Sequence, residues 1–245
     1  NFYKFKMSLR SFANLEYEVR VKKAKKISDL LNRKTQLQGK RVLDIGTGAG
    51  VCAEFFASQV VGPHGSVVAI DRSDQRLVKG QYHFEIVEGV ELPFDNNSFD
   101  IVVSNHVIEH VGGFNNKSIH LKEISRVLKR GGILYLAFPN RFAVIEPHYN
   151  LPFLSWFPQW FADFCVKGTG KGEYFDCHTP TRGEFVQLLK ETDLNKTEIT
   201  KEVFTYVVEN ELAGNRQVIT KLLSPFLLPL FMPIMPTLVH ILIKK

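Results

Sequence analysis

Short apolar runs punctuate the first 140 residues: Val42-Leu-Asp-Ile45, Ser66-Val-Val-Ala-Ile-Asp71, Ile101-Val-Val-Ser104 and Gly132-Ile-Leu-Tyr-Leu-Ala-Phe138. Runs of this length without strict polar alternation predict strands buried on both faces, the habit of a parallel sheet covered by helices. Upstream, Phe12, Leu15, Val19, Ile27, Leu30 and Leu31 recur at loosely helical spacing with Arg20 to Lys26 between them. That pattern predicts basic amphipathic helices over residues 1–38. Downstream, Thr181 to Thr192 reads as a helix and Thr197 to Val208 as the last strands, including an antiparallel pair.

The first apolar run enters a glycine turn, Gly46-Thr-Gly-Ala-Gly50, and then a helix. Glycines at 46, 48 and 50 let the backbone bend sharply and approach a ligand where a Cβ would collide. The helix start behind them suits an anionic group, phosphate or carboxylate. A dinucleotide fingerprint would need its third glycine where Val51 stands, so an NAD-dependent oxidoreductase is the weaker reading. A tight turn with no ligand is the plain alternative. The second run ends at Asp71, 21 residues past Gly50, where a carboxylate can accept hydrogen bonds from both hydroxyls of a ribose. Its plain alternative is a cap on a short helix starting near Ser73.

Glu88-Gly-Val-Glu-Leu-Pro-Phe then precedes Ser98-Phe-Asp and the third run, which opens into Asn105-His-Val-Ile-Glu-His-Val111. These four pieces, in this order over Lys40 to Pro139, resemble the class I S-adenosylmethionine-dependent methyltransferases. More narrowly, they resemble the small-molecule branch in which an acid, then Leu-Pro-Phe, then Ser-Phe-Asp precede the fourth strand. The resemblance implies a Rossmann-like α/β fold: a mostly parallel seven-stranded sheet with helices on both faces, an antiparallel last strand, a helical N-terminal lid and an aromatic-rich insertion. It implies that Asp44, Gly46, Thr47, Gly48 and Gly50 cradle the methionine moiety and that Asp71 holds the ribose. Arg72 would flank the adenine. Val87-Glu88-Gly89 replaces the family's usual Gly-Asp-Ala, so Glu88 and Gly89 take the adenine-side position. Asn105 and His106 fall against the cofactor, and Glu109 with His110 resembles the Glu-His pair of quinone-biosynthesis O-methyltransferases. His106, His110, Glu109 and the later His148 are the candidate catalytic groups. Structural roles for Glu109 and His110 on a helix start remain the alternative.

Composition narrows this further. A chain of 245 residues, 44% apolar, suffices for one α/β domain at 39–210 with appended regions. Cys52, Cys165 and Cys177 form neither an even set nor a Cys-x-x-Cys pair, which points to a reducing, cytoplasmic setting and to no metal site. The chain starts without Met and without a signal-like apolar run, suggesting a trimmed or fragmentary N-terminus. Residues 1–41 carry twelve Lys or Arg against three acids. A solvated lid face is the preferred reading, an anionic lipid or phosphate-bearing surface the second, and nucleic acid is not expected because no stacking aromatics accompany the charge. Within 140–180, eleven residues such as Tyr149, Trp156 and Trp160 crowd an insertion with Pro147, Pro152 and Pro158, suited to an acceptor pocket with His148, Tyr149 and His178 as polar handles. Finally, residues 222–243 hold no Lys, Arg, Asp or Glu, yet four prolines forbid a clean membrane span. The tail 211–245 is therefore expected at a membrane interface or over an apolar groove; a buried packing or dimer element is the competing reading. The function implied is methyl transfer to a small, apolar or lipid-linked acceptor at the cytoplasmic membrane face. A cofactor-binding protein without turnover is the rival.

Overall fold

The computed structural model describes residues 2–212, 214, 217, 218, 220 and 230–245, the side chains of residues 2–16 apart. Strands β1 (Arg41–Ile45), β2 (Ser66–Asp71), β3 (His83–Ile86), β4 (Phe99–Asn105), β5 (Leu128–Pro139), β8 (Leu194–Glu198) and β9 (Thr237–Lys244) build one sheet. Two short strands, β6 (Ile145–Glu146) and β7 (Leu151–Pro152), pair separately. The large sheet runs β3-β2-β1-β4-β5-β9-β8. β1 to β5 pair in parallel, and β9 is antiparallel to both its neighbours. The expected α/β fold with seven strands, mostly parallel, is therefore present.

Strand side chains alternate between two apolar layers, as the two-residue period of a pleated strand requires. Leu43, Val68, Val102, Leu134 and Leu136 face α3 (Phe114–Val127) and α5 (Arg182–Lys190). Val42, Val67, Ile101, Val103 and Ile133 face α1 (Phe2–Asn32) and α2 (Val51–Phe55), the latter continuing into a π turn over Phe56–Val60. Each large apolar side chain enclosed this way contributes about 1.5–3 kcal/mol. The start of α5 is fixed by a capping box: Thr181 Oγ1 accepts from the Glu184 N–H, and the Glu184 carboxylate accepts from the Thr181 N–H.

Four local expectations change. The N-terminal segment is one continuous helix, since residues 2–32 contain neither Gly nor Pro. No helix starts near Ser73. Asp74 instead accepts from the Arg76 backbone and pairs with its guanidinium, a local turn that competes with helical bonding, and the N–H groups of Leu77 and Val78 donate to Ala49 O. Of the residues expected as the last strands, Thr197 and Glu198 end β8 in its antiparallel pair with β9, but the rest form α6 (Thr200–Asn210), because Ile199, Val203 and Tyr206 fall on one helical face and the first two pack on the sheet. The tail is corrected as well. Residues 222–229 lie outside the described residues, but 237–244 form β9, buried between β5 and β8 with Leu238, Val239, Ile241 and Leu242 in the core. That stretch is a packing element of the sheet and not a membrane-interface segment, and the sheet extends past the expected boundary at residue 210. Among the described residues, no helix is long and apolar enough to cross a membrane.

The insertion after β5 carries α4 (Gln159–Gly168) and a small core of its own, Leu154, Ala162, Val166, Phe175 and Cys177. Most of its rings point outward. Trp160 is 72% exposed and Phe164 68%, so they neither pack on the sheet nor line an enclosed pocket.

Candidate active site

The carboxyl ends of β1, β2 and β4 converge at one edge of the sheet, where parallel α/β folds place their ligands. A cleft of about 210 Å³ opens there, its walls including Arg20, Lys23, Asp44, Gly48, Asn105 and His106. Gly46 and Thr47 line it too. Within the turn the three glycines do different work. A Cβ on Gly46, at φ +68°, would come within 2.5 Å of Val107 Cγ2, and one on Gly50 would run into Tyr82 Oη and Val78 O. Gly50 is thus needed by the segment folded over the turn and does not line the cleft. Gly48, at φ +54°, has open space where its Cβ would stand, so it is the glycine a ligand can approach.

Asp44 is buried, its Oδ2 without a hydrogen bond, and so is Thr47 Oγ1 beside it. Burial pushes the Asp44 carboxyl up to about 7. A buried orphan acceptor over an open glycine is what a small molecule bearing an ammonium group would complete. The residues present therefore fit the methionine end of S-adenosylmethionine. Asp71 stands behind them: its Oδ2 accepts from Gly48 N at 2.8 Å and its Oδ1 from Arg72 N at 2.7 Å, so it braces the turn. Arg72, Glu88 and Gly89 are exposed and do not line the cleft.

A second group of side chains adjoins the cleft. His106, at φ +60°, holds a left-handed conformation rare outside glycine, and its N–H donates to Ala137 O at 2.8 Å. Its Nδ1 lies 3.2 Å from Oε1 of Glu109, and His148 Nε2 lies 3.5 Å from the same oxygen. Glu109 is fully buried and neither of its oxygens is hydrogen-bonded. It lies in a turn, not on a helix, since α3 starts only at Phe114. His110 stacks edge-on against His148 at 5.1 Å and approaches Asp176 at 3.7 Å. Burial holds the His106 imidazole below its ordinary value, whereas the Glu146 carboxylate, 3.0 Å from Nδ1, raises that of His148. Cys177 Sγ, 3.7 Å from the same nitrogen, lines a larger cavity of about 600 Å³ with Phe157, Phe175, His178, Lys117 and Arg141. The group thus meets the cleft through His106, and Cys177 beside His148 belongs to the wall of the larger cavity.

The fold brings together Asp44, Gly46, Thr47, Gly48, Asn105 and His106 as expected, and His106, Glu109, His110 and His148 as a second cluster. Unforeseen are Arg20 and Lys23 on the cleft wall and Glu146 and Cys177 in the cluster. Glu146-Pro-His148, an acid two residues ahead of a candidate histidine, was the available signal for Glu146.

A sheet of this order, with an acid and a glycine turn at β1 and a second acid at β2, defines a nucleoside-cofactor-binding α/β enzyme class. Residues 43–136 match a family described as a methyltransferase domain. The chain is 31% identical over 176 residues to a demethylmenaquinone methyltransferase of Chlorobaculum tepidum, covering 66% of this chain and 70% of that protein. It is 29% identical over 136 residues to a ubiquinone biosynthesis O-methyltransferase of Pelagibacter ubique, covering 50% of this chain and about half of the relative, 52%. The fold is also that of a phosphoethanolamine N-methyltransferase of Haemonchus contortus solved with S-adenosylmethionine, with TM-score 0.51, 19% identity, and 88% and 51% of the two chains covered. The chain belongs to the S-adenosylmethionine-dependent methyltransferases.

Proposed function

We propose that the protein transfers a methyl group from S-adenosylmethionine to a hydroxyl or ring carbon of a small, lipid-linked, quinone-like acceptor. The observation that carries this reading is the buried Asp44 carboxyl, its Oδ2 without a hydrogen bond, beside open Gly48, with His106 on the same cleft and its cluster reaching Cys177 on the wall of the larger cavity. Asp44 would receive the ammonium of the methionine moiety, while Arg20 and Lys23 on α1 would face its carboxylate. Asp71 would hold the ribose through the lone pairs left free beside Gly48, with Arg72, Glu88 and Gly89 on the adenine side.

The sulfonium supplies an activated methyl group, so the protein has to align the acceptor and keep water out. α1 covers the cleft and is fastened to α6 by Asp29, which accepts from Tyr206 Oη at 2.6 Å, and by the Lys26–Glu211 pair at 2.8 Å. A planar acceptor head would enter from the cavity walled by Phe157 and Phe175. The cluster of His106, Glu109, His110 and His148 would draw the proton from an acceptor hydroxyl. The relatives' quinone-directed names support the acceptor class. Contact with a membrane surface, where such an acceptor resides, is supported by the outward Trp160, Phe164 and Tyr174 on the insertion and by the basic face of α1.

The test is incubation of the protein with methyl-labelled S-adenosylmethionine and a set of demethylated quinols and hydroxyquinols. Label is expected in a quinol product. Tight cofactor binding with no labelled product from quinols or a total lipid extract would favour a binding protein without turnover.

A further inference from the structure

We propose that His106, Glu109 and His148 form a binding site for one divalent first-row transition-metal ion, zinc foremost. No metal was expected from the cysteine spacing, but the site uses imidazole and carboxylate. His106 Nδ1 and His148 Nε2 lie 3.2 and 3.5 Å from Glu109 Oε1, and the three candidate ligand atoms fall within 4.8 Å of one another. Ligands held at about 2.0–2.1 Å around a tetrahedral zinc stand roughly 3.3 Å apart, so the two histidine–Glu109 separations match two edges of that tetrahedron.

Two further observations point to an ion. Glu109 is fully buried with both oxygens lacking a hydrogen bond, a costly arrangement that a cation would relieve. The other ring nitrogen of His148 is 3.0 Å from Oε1 of Glu146, itself fully buried, whose Oε2 accepts from the Tyr149 N–H. A carboxylate holding the far side of a ligating histidine is the usual support of a metal site, because it fixes the tautomer that leaves Nε2 free to ligate. Two imidazoles and one carboxylate suit zinc, manganese or ferrous iron better than magnesium or calcium. Three protein ligands leave a position open, the arrangement of catalytic rather than structural sites.

His106 lines the cleft, and Cys177, beside His148, lines the larger cavity, so the site lies next to both. Its role there rests on the methyltransferase reading. An acceptor hydroxyl bound to the ion would lose its proton to His110 or solvent. The oxygen would keep the electron pair and attack the methyl carbon as the carbon–sulfur bond breaks, leaving a neutral thioether.

The experiment is metal analysis of the full chain after chelator treatment, one round of zinc chloride and gel filtration, with S-adenosylmethionine titrated calorimetrically into the same samples. The wild type is expected to retain about one zinc per chain. H148A and E109Q should lose at least 100-fold in zinc affinity, and E146Q about 10- to 100-fold. H148A, whose side chain reaches the surface, covers the case that E109Q fails to fold. Wild-type protein that binds S-adenosylmethionine but retains under a tenth of an equivalent of zinc overturns the site, as does H148A retaining zinc like the wild type. Stoichiometric zinc lost in the variants, with no binding of S-adenosylmethionine, would sink the methyltransferase reading and leave the metal site standing.

Discussion

Asp44→Asn removes the charge that would receive the ammonium group of the cofactor. The carboxyl has moved from 3.8 to about 7 through burial, and at about 1.4 kcal/mol per pH unit that stands for about 4 kcal/mol against ionisation in the folded protein. Between about pH 4 and 7 the folded chain keeps a proton that the unfolded chain has released, so this group's contribution to stability falls as pH rises through that window and levels off above 7. Asparagine cannot ionise, so the variant should escape that fall and be more stable than the wild type at pH 8, by up to about 4 kcal/mol. Cofactor binding should respond oppositely. If ionised Asp44 receives an ammonium group, binding below pH 7 must expel a proton, and affinity should drop about fifteenfold from pH 7 to 5.5. Asparagine should bind about 10- to 100-fold more weakly at pH 7.5, the loss of a charge-assisted hydrogen bond, with little dependence on pH. Calorimetry in two buffers of different ionisation enthalpy reads both affinity and proton release. Wild-type affinity that is flat across this range, or an asparagine variant that binds as tightly as the wild type, refutes the assignment.

Four other outcomes can be measured. Gly48→Ala should weaken S-adenosylmethionine at least tenfold and lower the melting temperature through the strain of a Cβ at φ +54°, whereas Gly46→Ala, which adds a clash with Val107 to the same strain, should destabilise the fold more. His240 is buried between Phe138 and Phe185 with both ring nitrogens unpartnered, and burial depresses its imidazole to about 3. Stability should therefore be lost as pH falls from 6.5 towards 3, and His240→Phe should recover about 2 kcal/mol at pH 5, as judged by urea unfolding. Arg126 donates to Glu123, Leu92 O, Phe94 O and Asn96, pinning the Leu-Pro-Phe loop, so Arg126→Ala should cost about 1–3 kcal/mol by the same assay. Deleting residues 237–245 removes an interior strand and should leave insoluble protein, whereas a still-folded truncate that has lost the full chain's flotation on liposomes would restore the membrane reading of that segment.

What could be read from the sequence was whatever local chemistry dictates. The strands β1, β2, β4 and β5 announce themselves by unbroken apolar runs, and the turn at Gly46–Gly50 by its glycines, because burial on two faces and positive φ leave few residue choices. Asp44 and His106 followed, since both sit where such strands end. The rest is set by contacts distant in sequence. Nothing local in Thr237–Lys244 separates an interior strand from an interfacial tail; only pairing with Ile133–Pro139 does. Val203 to Val208 is β-branched and aromatic enough to suggest a strand, yet the face shared with Ile199 made it a helix. Arg20 and Lys23 became part of the cleft only through the docking of α1, and Glu146 joined the cluster through a turn of the insertion.

The position of β9 has a further consequence for how the chain reaches its native state. As the polypeptide is synthesised, β5 and β8 emerge about 100 and about 40 residues ahead of the strand that joins them, and each meanwhile offers a bare row of amides and carbonyls. The slow step of folding should be the late threading of that strand into a gap already flanked on both sides. A chain stalled before that event is the species most prone to stick to its own kind and most in need of a chaperone.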